Sequence, residues 1–347
     1  MEILQDITIK SNSSTPKYKQ IVNSIIQNII VGNLRVDQKI PSINLLSEEY
    51  YLSRDTVEKA YKILKEKQII TSIRGKGYYI NRTKFDSGAN VLFLINKLNH
   101  YKLPVYNYFI KSLGQSCNVD LKVYHCEESL FLNILEQNIK TYDYYIIMPH
   151  FKTENNNYIS CTQAVLEAIK KLPPHKTILI DNKIKQLEEV SEVYQDFEND
   201  IYNALKSGLN KINKYKKIFL IYPKNSNYPY PKKILHGFRK FCVAYKLDFE
   251  ILDKINPDLT INKGELFITI EEADLVHLIE KIRDKKFAIG TDVGIISYND
   301  TPLKALLGIT VFSADFKIMG EKTSQMILNN EKGKFKVPFN FIDRNSI

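Results

Sequence analysis

The chain is poor in cysteine, and the four it has, Cys117, Cys126, Cys161 and Cys242, form no C-x-x-C pair and no metal-ligand spacing. They suggest neither a disulfide framework nor a zinc site and read as reduced, mostly core residues. Six histidines, His100, His125, His150, His175, His236 and His277, are equally scattered, so no metal is expected. No apolar run approaches the roughly 18 residues of a membrane-spanning helix. The opening MEILQDITIK has neither the basic nor the apolar stretch of a secretory signal, so the expectation is a cytoplasmic protein without a membrane partner. Missing too are a G-x-S-x-G elbow, a G-x-x-x-x-G-K-[ST] phosphate loop, an H-E-x-x-H helix and a lysine in a recognisable cofactor setting. No catalytic residue and no cofactor is therefore expected.

What the chain does have is 347 residues, 44% of them hydrophobic and 25% charged, with a formal charge of +10. That composition belongs to a globular protein of two or three domains and excludes disorder and collagen. The charge is concentrated. Residues 53 to 82 carry eight basic side chains against three acidic ones, half of the net excess. Such a density is the footprint of a phosphate-contacting surface, although a lysine-rich solvated face would give the same count.

The first eighty residues read as helices followed by a hairpin. Thr15 is placed to cap a helix that begins at Pro16, carries Tyr18, Ile21, Ile25 and Ile29 on one face, and ends at Gly32. Pro41-Ser42 opens a shorter helix with Leu45, Leu46 and Tyr50. Ser53 caps a third, whose Val57, Ala60, Tyr61 and Leu64 fall at i, i+3, i+4 and i+7 while Arg54, Asp55, Thr56, Glu58, Lys59 and Lys62 stay outside. A short helix held by a preceding one through a tight turn is the geometry that enters a DNA major groove. Two β-rich runs then flank Arg74-Gly75-Lys76-Gly77, a turn with two cations on a backbone free to approach phosphate.

The ordered set Pro16-x-Tyr18-x-Gln20-Ile21, Gly32-x-Leu34, Lys39-Ile40-Pro41-Ser42, Leu45-Leu46, Leu52-Ser53-Arg54-x-Thr56-Val57, Ala60-Tyr61, Leu64 and Gly75-x-Gly77 resembles the winged helix-turn-helix of GntR-family bacterial transcription regulators. The resemblance implies that Ser53, Arg54 and Thr56 begin the recognition helix and that Gly75 to Gly77 form a minor-groove wing. Where the family usually has Glu-Arg after Pro-Ser this chain has Ile43-Asn44, and a usual basic residue after the valine is Glu58. Asn44 and Lys59 are the candidates to replace those contacts, beside Ser42.

A linker is expected at 84–90 (KFDSGAN), which lacks apolar periodicity, between a head of residues 1–83 and a body of 91–347. In the body, strand-like runs alternate with helical ones: Val91 to Ile95, a helix with Tyr106, Phe109, Ile110 and Leu113, Leu121 to Tyr124, a helix with Leu130 to Leu135, and Tyr144 to Met148. The pattern continues with helix 162–171, strand 177–180, helix 198–213, strand 218–222, helix 232–246, strands 248–252 and 266–270, helix 273–284, strands 294–298 and 309–312, and helix 315–328. This predicts parallel sheets covered by helices, and about 257 residues predict two subdomains. Ligands of such sheets lie beyond the carboxyl ends of strands. The candidate mouths are Asn96 to Lys102, with Asn99 and Tyr101, then Pro149-His150-Phe151, Asp181-Asn182, Glu271-Glu272 and Asn299-Asp300, a set suited to a hydroxyl-rich molecule.

Ile178-Leu179-Ile180-Asp181-Asn182, Gln195-Asp196, Leu235-x-Gly237-Phe238-Arg239, Gly294-Ile295-Ile296-Ser297-Tyr298-Asn299-Asp300, Ile309-Thr310 and Asp315-Phe316-x-x-Met319-Gly320 resemble the effector domain of LacI-type repressors, itself similar to periplasmic sugar-binding proteins. The resemblance implies a two-subdomain, periplasmic-binding-protein-like α/β body with crossovers near 181–183, 301–309 and 330–336. It gives Asn299 the place of a carboxylate that grips sugar hydroxyls, Glu271 the place of a ligand-facing asparagine, and Asp181 a cleft position, with Gln195 and Asp196 nearby. An arginine that often holds the effector is Ile234 here, with His236, Tyr228 or Tyr230 as neighbours able to contribute. The expected function is a homodimeric repressor of sugar-catabolism genes, bound to a palindromic operator and controlled by a sugar or sugar derivative. The competing class is an enzyme for a small polar metabolite fused to a DNA-binding head.

Overall fold

Two serine caps set the helices of the head. The computed structural model describes residues 7, 9, 15–30, 33–81, 89–114, 117–224 and 226–347, so the expected helix end at Gly32 and linker residues 84–88 lie outside the described residues. Ser42 Oγ accepts the Leu45 amide at the start of α2 (Ile43–Glu49), and Ser53 Oγ accepts the Thr56 amide at the start of α3 (Arg54–Glu66). Each bond satisfies a donor that the first helical turn leaves open. The preceding helix, α1 (Lys17–Ile30), starts one residue later than the capping pattern predicts, because its ladder begins on the carbonyl of Pro16.

Val57, Ala60, Tyr61 and Leu64 of α3 are all buried, against Ile21 and Ile25 of α1 and Leu46 of α2. Of the leucines placed on α2, Leu46 is buried and Leu45 exposed. A buried hydrogen bond from Tyr61 Oη to the Pro41 carbonyl, 2.7 Å, ties α3 to the turn that opens α2. Strands β1 (Lys39–Ile40), β2 (Ile70–Ile73) and β3 (Gly77–Ile80) form an antiparallel sheet in the order β1-β3-β2. Residues 74–76 turn between β2 and β3.

The described residues up to Asn81 form one compact unit, and those from Ala89 to Ile347 form a second whose two six-stranded sheets mark two lobes. Asn90, expected in the linker, already belongs to β4 (Ala89–Ile95). The first lobe continues with α4 (Lys102–Leu113), β5 (Cys117–Val123), α5 (Glu128–Asn138), β6 (Tyr144–Ile147), a small hairpin of β7 (Phe151–Lys152) and β8 (Tyr158–Ile159), α6 (Gln163–Lys170), β9 (Thr177–Asp181) and β10 (Ser191–Tyr194). The second holds α7 (Phe197–Ser207), α8 (Leu209–Ile212), β11 (Lys217–Ile221), α9 (Lys233–Ala244), β12 (Phe249–Leu252), β13 (Glu265–Thr269), α10 (Glu272–Asp284), β14 (Val293–Tyr298), α11 (Pro302–Leu306) and β15 (Thr310–Ala314). The chain then returns to the first lobe for α12 (Phe316–Leu328) and β16 (Lys334–Lys336), and ends in the second with β17 (Phe339–Ile342).

Among the described residues the first sheet has the order β16-β10-β9-β6-β4-β5 and is parallel throughout. The second has the order β12-β11-β13-β14-β15-β17, and its last strand runs antiparallel to β15, unlike the all-parallel expectation. Strands covered on both faces read as unbroken apolar runs, as in Val91 to Ile95, each residue fully buried. The crossovers fall at 195–196, 315 and 337–338 rather than near 181–183, 301–309 and 330–336. For the first and last of these the reason is local: β10 and β16 are short strands that the apolar pattern does not mark, and each carries the chain further before it changes lobe, while the middle crossover follows β15. The expected single helix 198–213 is also divided, at Gly208.

Candidate functional site

In the head, the residues singled out from the sequence fall on two exposed features. Arg54 is exposed on the first turn of α3 and pairs with Glu58 at 3.1 Å. Thr56 Oγ1 lies 2.8 Å from Ser53 Oγ, so both hydroxyls hold the helix start while remaining at its open end. Ser42 does the same for α2, with Asn44 exposed in its first turn. Lys59 turns back to α1, its ammonium 4.2 Å from the Tyr18 ring centre, a cation–π contact that fills its own face of the helix. At the hairpin tip Arg74 and Lys76 are exposed, and Gly75 and Gly77 take φ of 77° and 111°, the left-handed region that glycine enters without strain.

In the body, strand ends from both lobes enclose a cavity of about 50 Å³ that adjoins one of about 250 Å³. Of the residues expected there, Tyr101, His150, Asp181, Gln195 and Asn299 line the first cavity, and Asn99, Tyr101 and Glu271 line the second. Asp196 lies in neither. Consecutive residues leaving a strand point to opposite sides, so Gln195 faces inward while Asp196 stays at the start of α7 and accepts the Asn199 amide at 2.8 Å.

Asp181 is the electrostatic centre. At the end of β9 its backbone turns to φ 69°, a conformation Asp and Asn tolerate, and its carboxylate faces the cavity. Burial would raise its pKa. The Lys102 ammonium, 3.1 Å away, and His150 outweigh that and hold it well below the usual carboxylate range. Gln195 Nε2 donates to its other oxygen. Lys102 also donates to Asn96 Oδ1, 2.6 Å, so its charge is doubly engaged. His150 Nδ1 lies 3.1 Å from Tyr158 Oη. Its Nε2 is 2.8 Å from Asp181 Oδ2. Burial first, then Lys102, push its pKa down to about 4, so the imidazole is neutral near pH 7.

Asn299, at the end of β14, also has a left-handed backbone, φ 61°, and its amide donates to Phe312 O at 2.7 Å. Lys304 supports that turn from beneath, donating to the carbonyls of Tyr298 and Asn299 at 2.7 and 3.1 Å, and burial pushes its pKa down to about 8. Glu271, at the start of α10, accepts the Ser226 hydroxyl at 3.0 Å. Aromatic rings form the walls, with Tyr101 stacked on Phe316 at 5.6 Å. The residues that sequence reasoning passed over are Asn96, Lys97 and Lys102, although all three fall in or at the edge of the first mouth, together with Phe197, Tyr298 and Phe316. Ile234, where the resembling family has an arginine, is part of the apolar wall beside Tyr230.

Residues 17–80 match the model of the bacterial regulatory proteins, gntR family. The HTH-type transcriptional repressor YtrA of Bacillus subtilis is 37% identical over 75 residues, 22% of this chain. The chain spans 58% of the length of that relative. Among solved structures, the trehalose repressor from Escherichia coli superposes with a TM-score of 0.57 at 12% identity, covering 74% of this chain and 100% of its own. A LacI family transcriptional regulator from Silicibacter pomeroyi gives 0.59 at 14% identity, covering 74% and 98%. The chain thus joins a GntR-family winged helix-turn-helix to a body with the fold of LacI-type regulators. Among the described residues no helix is long and apolar enough to cross a membrane.

Proposed function

We propose that the protein is a cytoplasmic transcription repressor whose grip on a palindromic operator is changed by a sugar or sugar derivative bound between the lobes, and that it works as a homodimer rather than as an enzyme. The observation that carries this reading is the cleft: Asp181, Gln195, Asn299 and the neutral His150 converge from the strand ends of both lobes, which is where α/β sheets receive ligands. Acceptors and donors set between aromatic walls suit a ring carrying hydroxyls. A ligand touching both lobes favours their closed arrangement only by its differential affinity for it, worth typically about 1–3 kcal/mol of coupling to DNA binding. The name of the trehalose repressor, whose fold the body shares, supports a carbohydrate. The head supports a two-fold dimer, since one helix-turn-helix reads half a site.

A thermal-shift screen of monosaccharides, sugar acids and sugar phosphates tests the cleft, because a ligand at 100 Kd adds about 2.7 kcal/mol. The operator is obtained by selection from random duplexes, and a gel-shift titration with and without the hit tests the regulation. A hit that leaves the DNA affinity unchanged refutes it. Arg54→Ala is expected to weaken operator binding by roughly 1–3 kcal/mol, and an unchanged titration would remove Arg54 from the interface. Glu271→Ala and Asn299→Ala are expected to abolish the shift in DNA affinity on adding effector; a full response in both would place the ligand elsewhere.

A further inference from the structure

The charged side chains around the cleft each have an ion-pair or hydrogen-bond partner, except Lys97. Asp181 meets Lys102 at 3.1 Å, and Glu272 lies 4.0 Å from Lys304. Glu271 is occupied by the Ser226 hydroxyl. The Lys97 ammonium sits over the rings of Tyr228 and Tyr230, 5.0 Å from each centre, and 5.9 Å from that of Tyr101. Among the described residues no carboxylate comes within 4.0 Å of it, and no acceptor takes any of its three N–H donors. Three ring faces attract a cation but supply no counter-charge. The cost is visible in its titration: burial, then Lys102, push its pKa down to about 8, against the opposing pull of Cys126, Glu271 and Asp181. In the same cavity wall His150 is 5% exposed, its Nε2 turned to Asp181 Oδ2 at 2.8 Å. An unpaired cation thus borders the cavity, beside Asn299 and Gln195.

We propose that the ligand of the cleft is an anionic sugar derivative, a sugar phosphate or a sugar acid, whose anionic group is held by Lys97. The proposal rests on the cleft being the effector site. A neutral sugar would leave the ammonium as it is now, whereas a phosphate or carboxylate supplies both the charge and the acceptors it lacks. The tyrosine rings then form the side of the anion pocket rather than its only lining.

The test is calorimetric titration of the full-length protein with matched pairs at equal concentration: glucose against glucose 6-phosphate, arabinose against arabinose 5-phosphate, glucose against glucuronate, and inorganic phosphate alone. At least one anionic member is expected to bind tenfold or more tightly than its neutral parent. Lys97→Met is expected to erase that preference and Lys97→Arg to keep it, with thermal melts of both unliganded variants reporting whether they fold. In the wild-type protein the preference is expected to fall as pH rises through about 8, which decides the matter even where a variant does not fold. The phosphate and carboxylate arms separate the two sources of charge, and either upholds the proposal. It is overturned if no anionic member exceeds its parent tenfold, if Lys97→Met keeps the preference, or if inorganic phosphate binds as well as the sugar phosphates. Neutral sugars that bind and alter operator affinity overturn this inference alone. An anionic sugar that binds through Lys97 without altering operator affinity upholds it and overturns the regulatory reading instead.

Discussion

Lys102→Met is expected to lower folding stability by roughly 3–5 kcal/mol near neutral pH, the range for removing one partner of a buried ion pair. Both side chains of the Lys102–Asp181 pair are 5% exposed, so water cannot replace the missing charge. Methionine keeps most of the volume of the lysine stem, which makes the loss one of charge rather than of packing. The pH dependence checks the cause. In the wild-type protein Asp181 titrates below its unfolded value of about 3.9, so the pair contributes stability above that value and loses it as pH falls towards the folded one. His150, pushed down to about 4 from an ordinary value near 6.5, adds to the same slope: the unfolded chain takes up its proton first, and stability falls on acidification between those values. Without Lys102 the largest of the contributions that lower Asp181 is gone, so its carboxyl titrates higher than in the wild type and less of that stability remains at neutral pH. The gap between variant and wild type therefore narrows in acid, and Asp181→Asn added to Lys102→Met restores much of the loss. Urea unfolding from neutral to acid pH reads this directly; a gap that does not change, or a double variant as unstable as the single, would rule out a buried pair.

The legible parts of the molecule are those where one physical rule acts alone. Ser53 and the spacing of Val57, Ala60, Tyr61 and Leu64 define α3, because a cap and a 3.6-residue stripe leave little else for that segment to do. Val91 to Ile95 and Gly294 to Tyr298 declare buried parallel strands. Of the strands missed in the two large sheets, β10, β16 and β17, all are short and the first two also carry charge. Glu192 is buried within β10 and survives there because Lys334 of the adjacent β16 lies 3.5 Å away. No local pattern announces a carboxylate neutralised from a strand more than a hundred residues distant. Within the cleft, Asp181 and Asn299 could be named because they fall at or just beyond strand ends, in segments that resemble the LacI-type effector domain. Lys97 and Lys102 could not be told from surface lysines, since their meaning depends on the opposite wall: on Asp181 for one, and on Tyr228 and Tyr230 for the other.

Gly320→Val is expected to cost about 3 kcal/mol or more, and Gly320→Ala about 2. Helix propensity alone predicts the opposite sign for alanine, a gain of about 1 kcal/mol in a helix interior. Packing reverses it. A Cβ on Gly320 would lie 2.4 Å from the carbonyl oxygen of Val105 and 2.8 Å from the amide nitrogen of Phe109. Those are backbone atoms of α4, which cannot rotate aside as a side chain would, so α12 and α4 must separate, and inserting methyl groups into a filled contact typically costs about 1–3 kcal/mol. The adjoining contacts share the strain: Ser324 Oγ donates to Ser112 Oγ at 2.6 Å across the same pair of helices. Separation also displaces Phe316, the first residue of α12, from its place against Tyr101 in the cavity wall. Gly320→Ala should therefore weaken ligand binding in calorimetric titration as well as lowering the denaturation midpoint. An alanine variant at least as stable as the wild type would mean that propensity outweighs the contact and that the two helices are not in van der Waals register at this point.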